Sequence, residues 1–369
     1  MFTKQLEALA AMSNRYGADS QFVLAGGGNT SFKSADRLWV KGSGTALATI
    51  RPEDFVVLER AKLDQMWSTQ YPEEEKAREA AVLSDMMNAR IDGENRRPSV
   101  ETLLHNLFPQ QYILHVHPTI VNGLTCSNEG EKAMLRLFPD AVWVDACKPG
   151  YILALECKQV MDAYKAQKGK NVQILFLQNH GIFFAADTTE QIDALAQQVM
   201  DSLRNAVVRQ PALQSIACDQ DKANAIGTLL QQLYGEGQDA AVKFAVCPEV
   251  LSYDPATKSL SPDHIVYAKA KQLAVPANAD EAQIKTLFAA FAAENGYKAK
   301  IVFVEGLGMF ACGASEKEAA TALEVMLDAI SVVAYAESFG GVQVMPEFLI
   351  DFIVNWEVES YRSKVSLSK

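Results

Sequence analysis

Short apolar runs alternate with stretches of helical periodicity along the first half of the chain, which predicts alternating strands and helices. Runs of strand length lie near residues 22–25, 38–40, 56–58, 112–117, 140–144 and 174–180. Helical spacing of apolar residues is found near 73–90, 99–107, 152–167 and 188–203. This order is typical of an α/β fold.

The second half repeats part of the first. Ile174–Phe183 matches Ile301–Phe310 at a constant offset of 127 residues, and the following capping boxes keep that offset. A strand, a glycine turn and a helix are therefore predicted twice. A coincidental strand–glycine–helix pattern would look similar. Leu307 stands where the first segment has His180.

The length of the chain and two stretches of weak periodicity predict two domains. A chain of 369 residues exceeds what one core usually serves. The periodicity fades near 210–211 and again near 235–237. We therefore expect one domain over residues 1–215 and a smaller C-terminal α/β lobe over 240–369, without metal ligands.

Composition restricts the partners. The net charge is −11, which argues against nucleic acid and anionic membrane surfaces. We expect no membrane partner, because no run of apolar residues approaches a membrane span, and the N-terminus does not read as a signal peptide. Six scattered cysteines without a Cys-x-x-Cys pair fit a reducing cytoplasm and exclude a thiolate zinc site by spacing.

Three of the five histidines form the most informative pattern. His115 and His117 alternate on one predicted strand, so they share a face, and His180 ends another strand-like run. Three imidazoles leave one coordination position open, as in a catalytic zinc site. The alternative is three ordinary buried histidines with hydrogen-bond partners.

Two further features provide candidate catalytic and substrate-binding residues. Glu101, just before the histidine strand, is a candidate general base or fourth ligand, or else an exposed residue of a first helical turn. Backbone amides and hydroxyls cluster in two glycine-rich turns and at a predicted helix start, and such clusters bind phosphate. Asn29, Thr30 and Ser31 belong to one turn, Ser43 and Thr45 to the other, and Ser99 to the helix start. Glycines in tight turns are the simpler explanation.

Taken in order, five motifs resemble the class II aldolase/adducin family over residues of about 1 to 210. The motifs are Gly27-Gly28-Asn29-Thr30-Ser31, Val40-Lys41-Gly42-Ser43-Gly44-Thr45, Ser99-x-Glu101, His115-x-His117-Pro118 and Asn179-His180-Gly181. The chain departs from the family's common Ser-Ser-Glu pattern at Val100, which removes one hydroxyl from the implied phosphate site.

The resemblance implies a three-layer α/β/α sandwich with a largely antiparallel central sheet. It also implies that His115, His117 and His180 bind Zn²⁺ or another divalent metal and that Glu101 is the acid/base. Asn29, Ser43, Gly44 and Ser99 would hold the substrate phosphate.

The expected activity is a zinc-dependent aldolase, a lyase that cleaves a ketose phosphate or related sugar through a metal-stabilised enediolate. A sugar-phosphate 4-epimerase or another lyase on the same site, and a non-enzymatic adducin-like scaffold, are the alternatives. We expect a cytoplasmic homo-oligomer acting on a small-molecule sugar or sugar phosphate.

Overall fold

Within residues 2–236 and 239–356, which the computed structural model describes, the strands form two separate sheets. The first sheet contains β1 (Asn29–Lys33), β2 (Arg37–Lys41), β3 (Phe55–Glu59), β4 (Tyr112–Val116), β5 (Val142–Val144), β6 (Ile174–Leu177) and β7 (Gly181–Ala186). The second contains β8 (Ala241–Ala245), β9 (Leu273–Val275), β10 (Ile301–Val304) and β11 (Gly308–Gly313). Gly237 of the predicted boundary and residues 357–369 of the predicted lobe lie outside the described residues.

Helices pack on both sheets. They are α1 (Thr3–Gly17), α2 (Arg60–Gln65), α3 (Glu75–Asn88), α4 (Thr102–Leu107), α5 (Thr119–Thr125), α6 (Gly130–Leu137), α7 (Tyr151–Lys168), α8 (Thr189–Ala206), α9 (Gln220–Gly235), α10 (Pro248–Ser252), α11 (Pro262–Ala268), α12 (Glu281–Asn295), α13 (Glu316–Ala336) and α14 (Glu347–Asn355). Residues 239–356 are called the C-terminal region below.

The first sheet has the order β3-β2-β1-β4-β7-β6-β5 and is antiparallel except for the pair β5–β6. One face packs on α1, α5, α6 and α8, and the other on α2, α3, α4 and α7. Both faces are therefore buried, and the predicted three-layer sandwich with a largely antiparallel sheet is confirmed.

The second sheet reproduces four strands of the first. Its order β8-β11-β10-β9 has the same pairing directions as β4-β7-β6-β5: two antiparallel pairs followed by one parallel pair. Strands β10 and β11 and helix α13 begin 127 residues after β6, β7 and α8, respectively. The repeat predicted from the sequence thus extends over a whole half-sheet.

Two sequence expectations were wrong in detail. Phe22–Ala25 is not a strand: Ala25 has a φ of 51°, which turns the chain, and the first strand begins at Asn29. The predicted strand at His180 is in fact a hairpin, in which β6 and β7 flank His180. The division into domains of residues 1–215 and 240–369 stays a prediction.

One described helical stretch, Glu316–Phe339, is long and apolar enough to span a membrane by length and composition, contrary to the expectation that no apolar run approaches a membrane span. In this protein, 56% of the most apolar part of this stretch is buried. It packs on the second sheet through residues such as Ala322, Met326 and Ile330, as a core helix does.

The closest approach between α5 and α13 occurs at Gly123. A Cβ placed on Gly123 would lie 2.3 Å from the Cβ of Tyr335, so the helices touch because this residue has no side chain. We expect Gly123→Ala to lower the free energy of unfolding by about 1–3 kcal/mol, as overpacking usually does. Urea denaturation measures it.

Gly227 of α9 provides the matched control. A Cβ there would meet only Phe310 Cε1 at 3.8 Å, an ordinary contact. Gly227→Ala should therefore stabilise the protein by roughly 1 kcal/mol through helix propensity. Equal stability of Gly123→Ala and the parent would contradict the tight α5–α13 contact.

Candidate metal centre

The three histidines predicted as ligands meet at one edge of the first sheet. His115 lies on β4, His117 follows one residue beyond it, and His180 occupies the turn between β6 and β7. Their ring centroids are 4.7 to 5.1 Å apart, and the Nε2 atoms of His115 and His117 are 2.9 Å apart. Among the described residues, these three histidines form a group that could hold a metal ion, because one ring nitrogen of each lies within 4.8 Å of the other two.

Pairing of β4 with β7 produces this convergence. His115 lies opposite Phe183 in the ladder, and its ring stacks on the Phe183 ring at 4.0 Å. Gly181 then lies opposite His117, and a Cβ there would be 2.5 Å from His117 Cδ2. Only glycine lets His180 approach the other two rings this closely.

The turn that presents His180 is held by its neighbour. Asn179 has a φ of 55°, a conformation that asparagine tolerates better than most residues. Its side-chain amide donates to the carbonyl oxygens of Leu260 and Gln343, both in the C-terminal region. The His180 loop is therefore fixed partly by residues that are distant in sequence.

Glu101 completes the cluster. Its Oε1 lies 3.3 Å from His115 Nε2 and 3.5 Å from His180 Nε2, is buried, and has no hydrogen-bond partner. A buried carboxylate oxygen close to two imidazole nitrogens, with the third imidazole beside them, is an arrangement that a divalent cation satisfies. The residues present therefore fit a bound metal ion.

The protonation of the site also favours metal binding. Burial lowers the pKa of His115, and it lowers the pKa of His180 to about 3. Neutral imidazole is the form that coordinates metal. Burial alone would raise the pKa of Glu101, but His115, His180 and the amide of Asn29 outweigh it and hold the value well below its ordinary range.

A buried chain of hydrogen-bonded polar groups contacts Oε2 of Glu101. The Asn29 amide donates to Glu101 Oε2 at 2.6 Å, and the Asn29 carbonyl oxygen accepts from His105 Nε2. His105 Nδ1 then accepts from the Ser31 hydroxyl at 2.7 Å. Sequence reasoning missed His105, although its position four residues after Glu101 places both side chains on one side of the chain.

The other predicted binding residues divide into two groups. Asn29, Ser43, Gly44 and Ser99 line the small pocket that also contains Glu101, His117 and His180. Thr30 does not reach it: its hydroxyl hydrogen-bonds Ser13 on the opposite face of β1, because alternate strand residues point to opposite sides.

Val100 now has a structural explanation. It lines the pocket and packs against the apolar cluster of α11, α13 and α14 in the C-terminal region. A serine there would lose this contact. At this position of the Ser-Ser-Glu pattern, Val100 therefore contributes apolar packing with the C-terminal region.

A larger cavity of about 580 Å³ adjoins the metal pocket and shares Gly26 and Gly44 with it. Its lining includes Arg51 and Arg96 from the first sheet's region and Tyr267, Lys317 and Thr321 from the C-terminal region. The hydroxyl of Tyr267 accepts from the Gly26 amide at 3.2 Å. A substrate at the metal pocket could extend into this space.

Comparison with known proteins identifies the family of this chain. The family model described as Class II Aldolase and Adducin N-terminal domain matches residues 7–207, more than half of the chain. The chain belongs to this family. The match covers the seven-stranded sheet and stops before the second sheet.

Individual relatives cover the same part. "Uncharacterized oxidoreductase YuxG" of Bacillus subtilis (strain 168) is 30% identical over 201 residues, 51% of this chain and 27% of that protein. The chain thus matches about a quarter of this relative's length. Two solved structures are similar. The N-terminal class II aldolase domain of a conserved protein from Thermoplasma acidophilum is 24% identical with a TM-score of 0.48, and the match covers 56% of this chain and 94% of that one. L-fuculose-1-phosphate aldolase from Thermus thermophilus is 14% identical with a TM-score of 0.34, and the match covers 55% of this chain and 94% of that one.

His105 makes stability depend on pH. Burial lowers its pKa well below the ordinary value, so the folded protein keeps it neutral while the unfolded chain protonates it below about pH 6.5. Stability is therefore lost as the pH falls below 6.5. Below pH 6.5, the free energy of unfolding of the metal-free protein should therefore fall less steeply with pH in His105→Gln than in the parent. We expect this slope to be smaller by about 1.4 kcal/mol per pH unit, which urea titrations from pH 7.5 to 5 measure. An unchanged slope would contradict the buried neutral state.

Proposed function

We propose that the protein is a divalent-metal-dependent lyase, with zinc as the expected metal, that cleaves a carbon–carbon bond in a ketose phosphate or related sugar. The observation that carries this proposal is the convergence of three Nε2 atoms with the unpartnered Oε1 of Glu101. When bound, the cation supplies positive charge that offsets the negative charge developing during bond cleavage.

Glu101 is the group that moves the proton. Its carboxylate takes the proton of the hydroxyl whose carbon becomes the aldehyde, and returns it to the carbon released from that bond. Asn29 orients the carboxylate through its 2.6 Å hydrogen bond. Burial of both side chains limits the access of water to this exchange.

An anionic substrate needs local attraction, because the chain carries a net charge of −11. Lys41, Ser43 and Ser99 supply polar groups along the wall of the metal pocket. The adjoining cavity adds Arg51, Arg96 and Lys317; Asp54 also lines it, and Arg51 and Arg96 pair with Asp54 and Glu94. The basic and hydroxyl side chains among these residues fit the anionic end of a sugar phosphate, while its carbonyl end faces the histidines. Homo-oligomerisation and cytoplasmic location stay predictions, as does the absence of nucleic-acid and membrane partners.

Metal content tests the ligand assignment. We expect about one divalent ion per chain in protein purified without chelators, and a loss of most of it in His117→Ala, since two imidazoles remain. Elemental analysis measures it. Glu249→Gln is the control, because Glu249 is buried but pairs with Arg209 instead of the cluster. Full metal content in His117→Ala would contradict the assignment.

A substrate panel tests the reaction. Ketose 1-phosphates, pentulose 5-phosphates and their unphosphorylated forms are incubated with the protein, and released aldehyde is trapped. We expect cleavage of at least one of them, and a loss of about 100-fold or more in Glu101→Gln, which keeps the shape of the acid but cannot accept the proton.

Glu249→Gln is the matched control, because Glu249 is also buried but pairs with Arg209 outside the pocket. Turnover by Glu101→Gln within about tenfold of the parent would exclude Glu101 as acid/base. Accumulation of a 4-epimer without trapped aldehyde would identify the epimerase instead.

A further inference from the structure

The C-terminal region touches the metal centre at one of its ligands. Asp263, in the first turn of α11, places Oδ2 2.6 Å from Nδ1 of His117. The two side chains are only 13% and 10% exposed. With Nδ1–H donating to the carboxylate, the lone pair of His117 Nε2 faces the other two imidazoles.

His115 receives its orientation in a different way. Its Nδ1 donates to the carbonyl oxygen of Ile182 at 3.0 Å, a contact within the first sheet. His117 lies beyond the end of β4, where the pairing of β4 and β7 no longer supplies such an acceptor. The acceptor comes instead from a residue 146 positions later in the chain.

Asp263 is held in place by its surroundings. The next residue, His264, donates to Asp328 on α13 at 2.8 Å, and Asp328 accepts from Thr119 of α5 at 2.5 Å. Gly27 leaves room for the carboxylate: a Cβ there would be 3.1 Å from Asp263 Oδ2. The glycine-rich turn therefore accommodates the C-terminal region as well as the pocket.

We propose that Asp263 is a positioning residue of the metal centre, so that the C-terminal region, although it lacks ligands of its own, completes the site of the first sheet. This inference rests on the proposed metal site. The carboxylate fixes the tautomer and ring orientation of His117, and removing such a partner typically weakens metal binding about 10- to 100-fold.

Metal affinity of the full-length chain provides the first test, with Zn²⁺ titrated against a chromophoric chelator. We expect Asp263→Ala to raise the dissociation constant about 10- to 100-fold. Asp263→Asn, which keeps an acceptor oxygen, should lose less. Glu249→Gln is the matched control, because it removes a buried carboxylate of the C-terminal region that pairs with Arg209 and touches neither Asp263 nor a ligand.

The outcomes separate the possibilities. An Asp263→Ala protein that binds zinc within about twofold of the parent overturns the inference and leaves the metal site intact. An equal loss in Glu249→Gln also overturns it, since the loss of any buried carboxylate of the C-terminal region would then explain the effect. A parent that binds no zinc overturns the proposed metal site itself.

The tautomer of His117 provides a second test that needs no metal. In metal-free protein with ¹⁵N-labelled histidine, long-range nitrogen–proton spectra distinguish a protonated Nδ1 from a protonated Nε2. We expect His117 to carry its proton on Nδ1 in the parent and in Glu249→Gln, and to lose this preference in Asp263→Ala. A Nε2–H tautomer in the parent would overturn the inference.

Discussion

The antiparallel pairing of β4 with β7 is the constraint on which the rest of the site depends. Its register places His115 opposite Phe183 and brings the β6–β7 turn, with His180, beside His117. Gly181 is required at that point, because a Cβ would lie 2.6 Å from the Val116 carbonyl oxygen. A shift of one residue in this register would turn His115 to the opposite face and separate the ligands. The site is therefore a consequence of strand pairing, and Glu101, at the start of helix α4, is added to it together with its buried polar partners on β1 and α4.

The repeated half-sheet shows which part of this design depends on specific residues. In the pairing of β8 with β11, the positions equivalent to His115 and His117 are Phe244 and Val246, and Leu307 stands in place of His180. The topology persists because apolar strands and helices encode it, whereas a metal site requires particular side chains at a few positions. The copy has apolar residues at all three positions. It nevertheless lies against the intact site, where it supplies Asp263 and Tyr267 and receives the Asn179 amide.

Local patterns in the sequence predicted much of this arrangement, and long-range contacts account for what they did not predict. The shared face of His115 and His117 and the 127-residue register could be read directly, because strand alternation and capping boxes are local. Strands β7 and β11 were missed because they are buried throughout and show no polar alternation. Thr30 was placed in the site because the sequence does not show which face of β1 meets helix α4. No local signal marks Asp263, whose partner lies 146 residues away.

The central claim is that three histidines from the first sheet, supported by the C-terminal region, hold one catalytic metal ion. A crystal structure of the zinc-loaded protein tests it most directly. We predict one ion bonded to Nε2 of His115, His117 and His180, with Asp263 accepting from His117 Nδ1 and Glu101 Oε1 facing the ion. An ion bound elsewhere, or a His117 ring turned away from Asp263 and the other two histidines, would contradict this account.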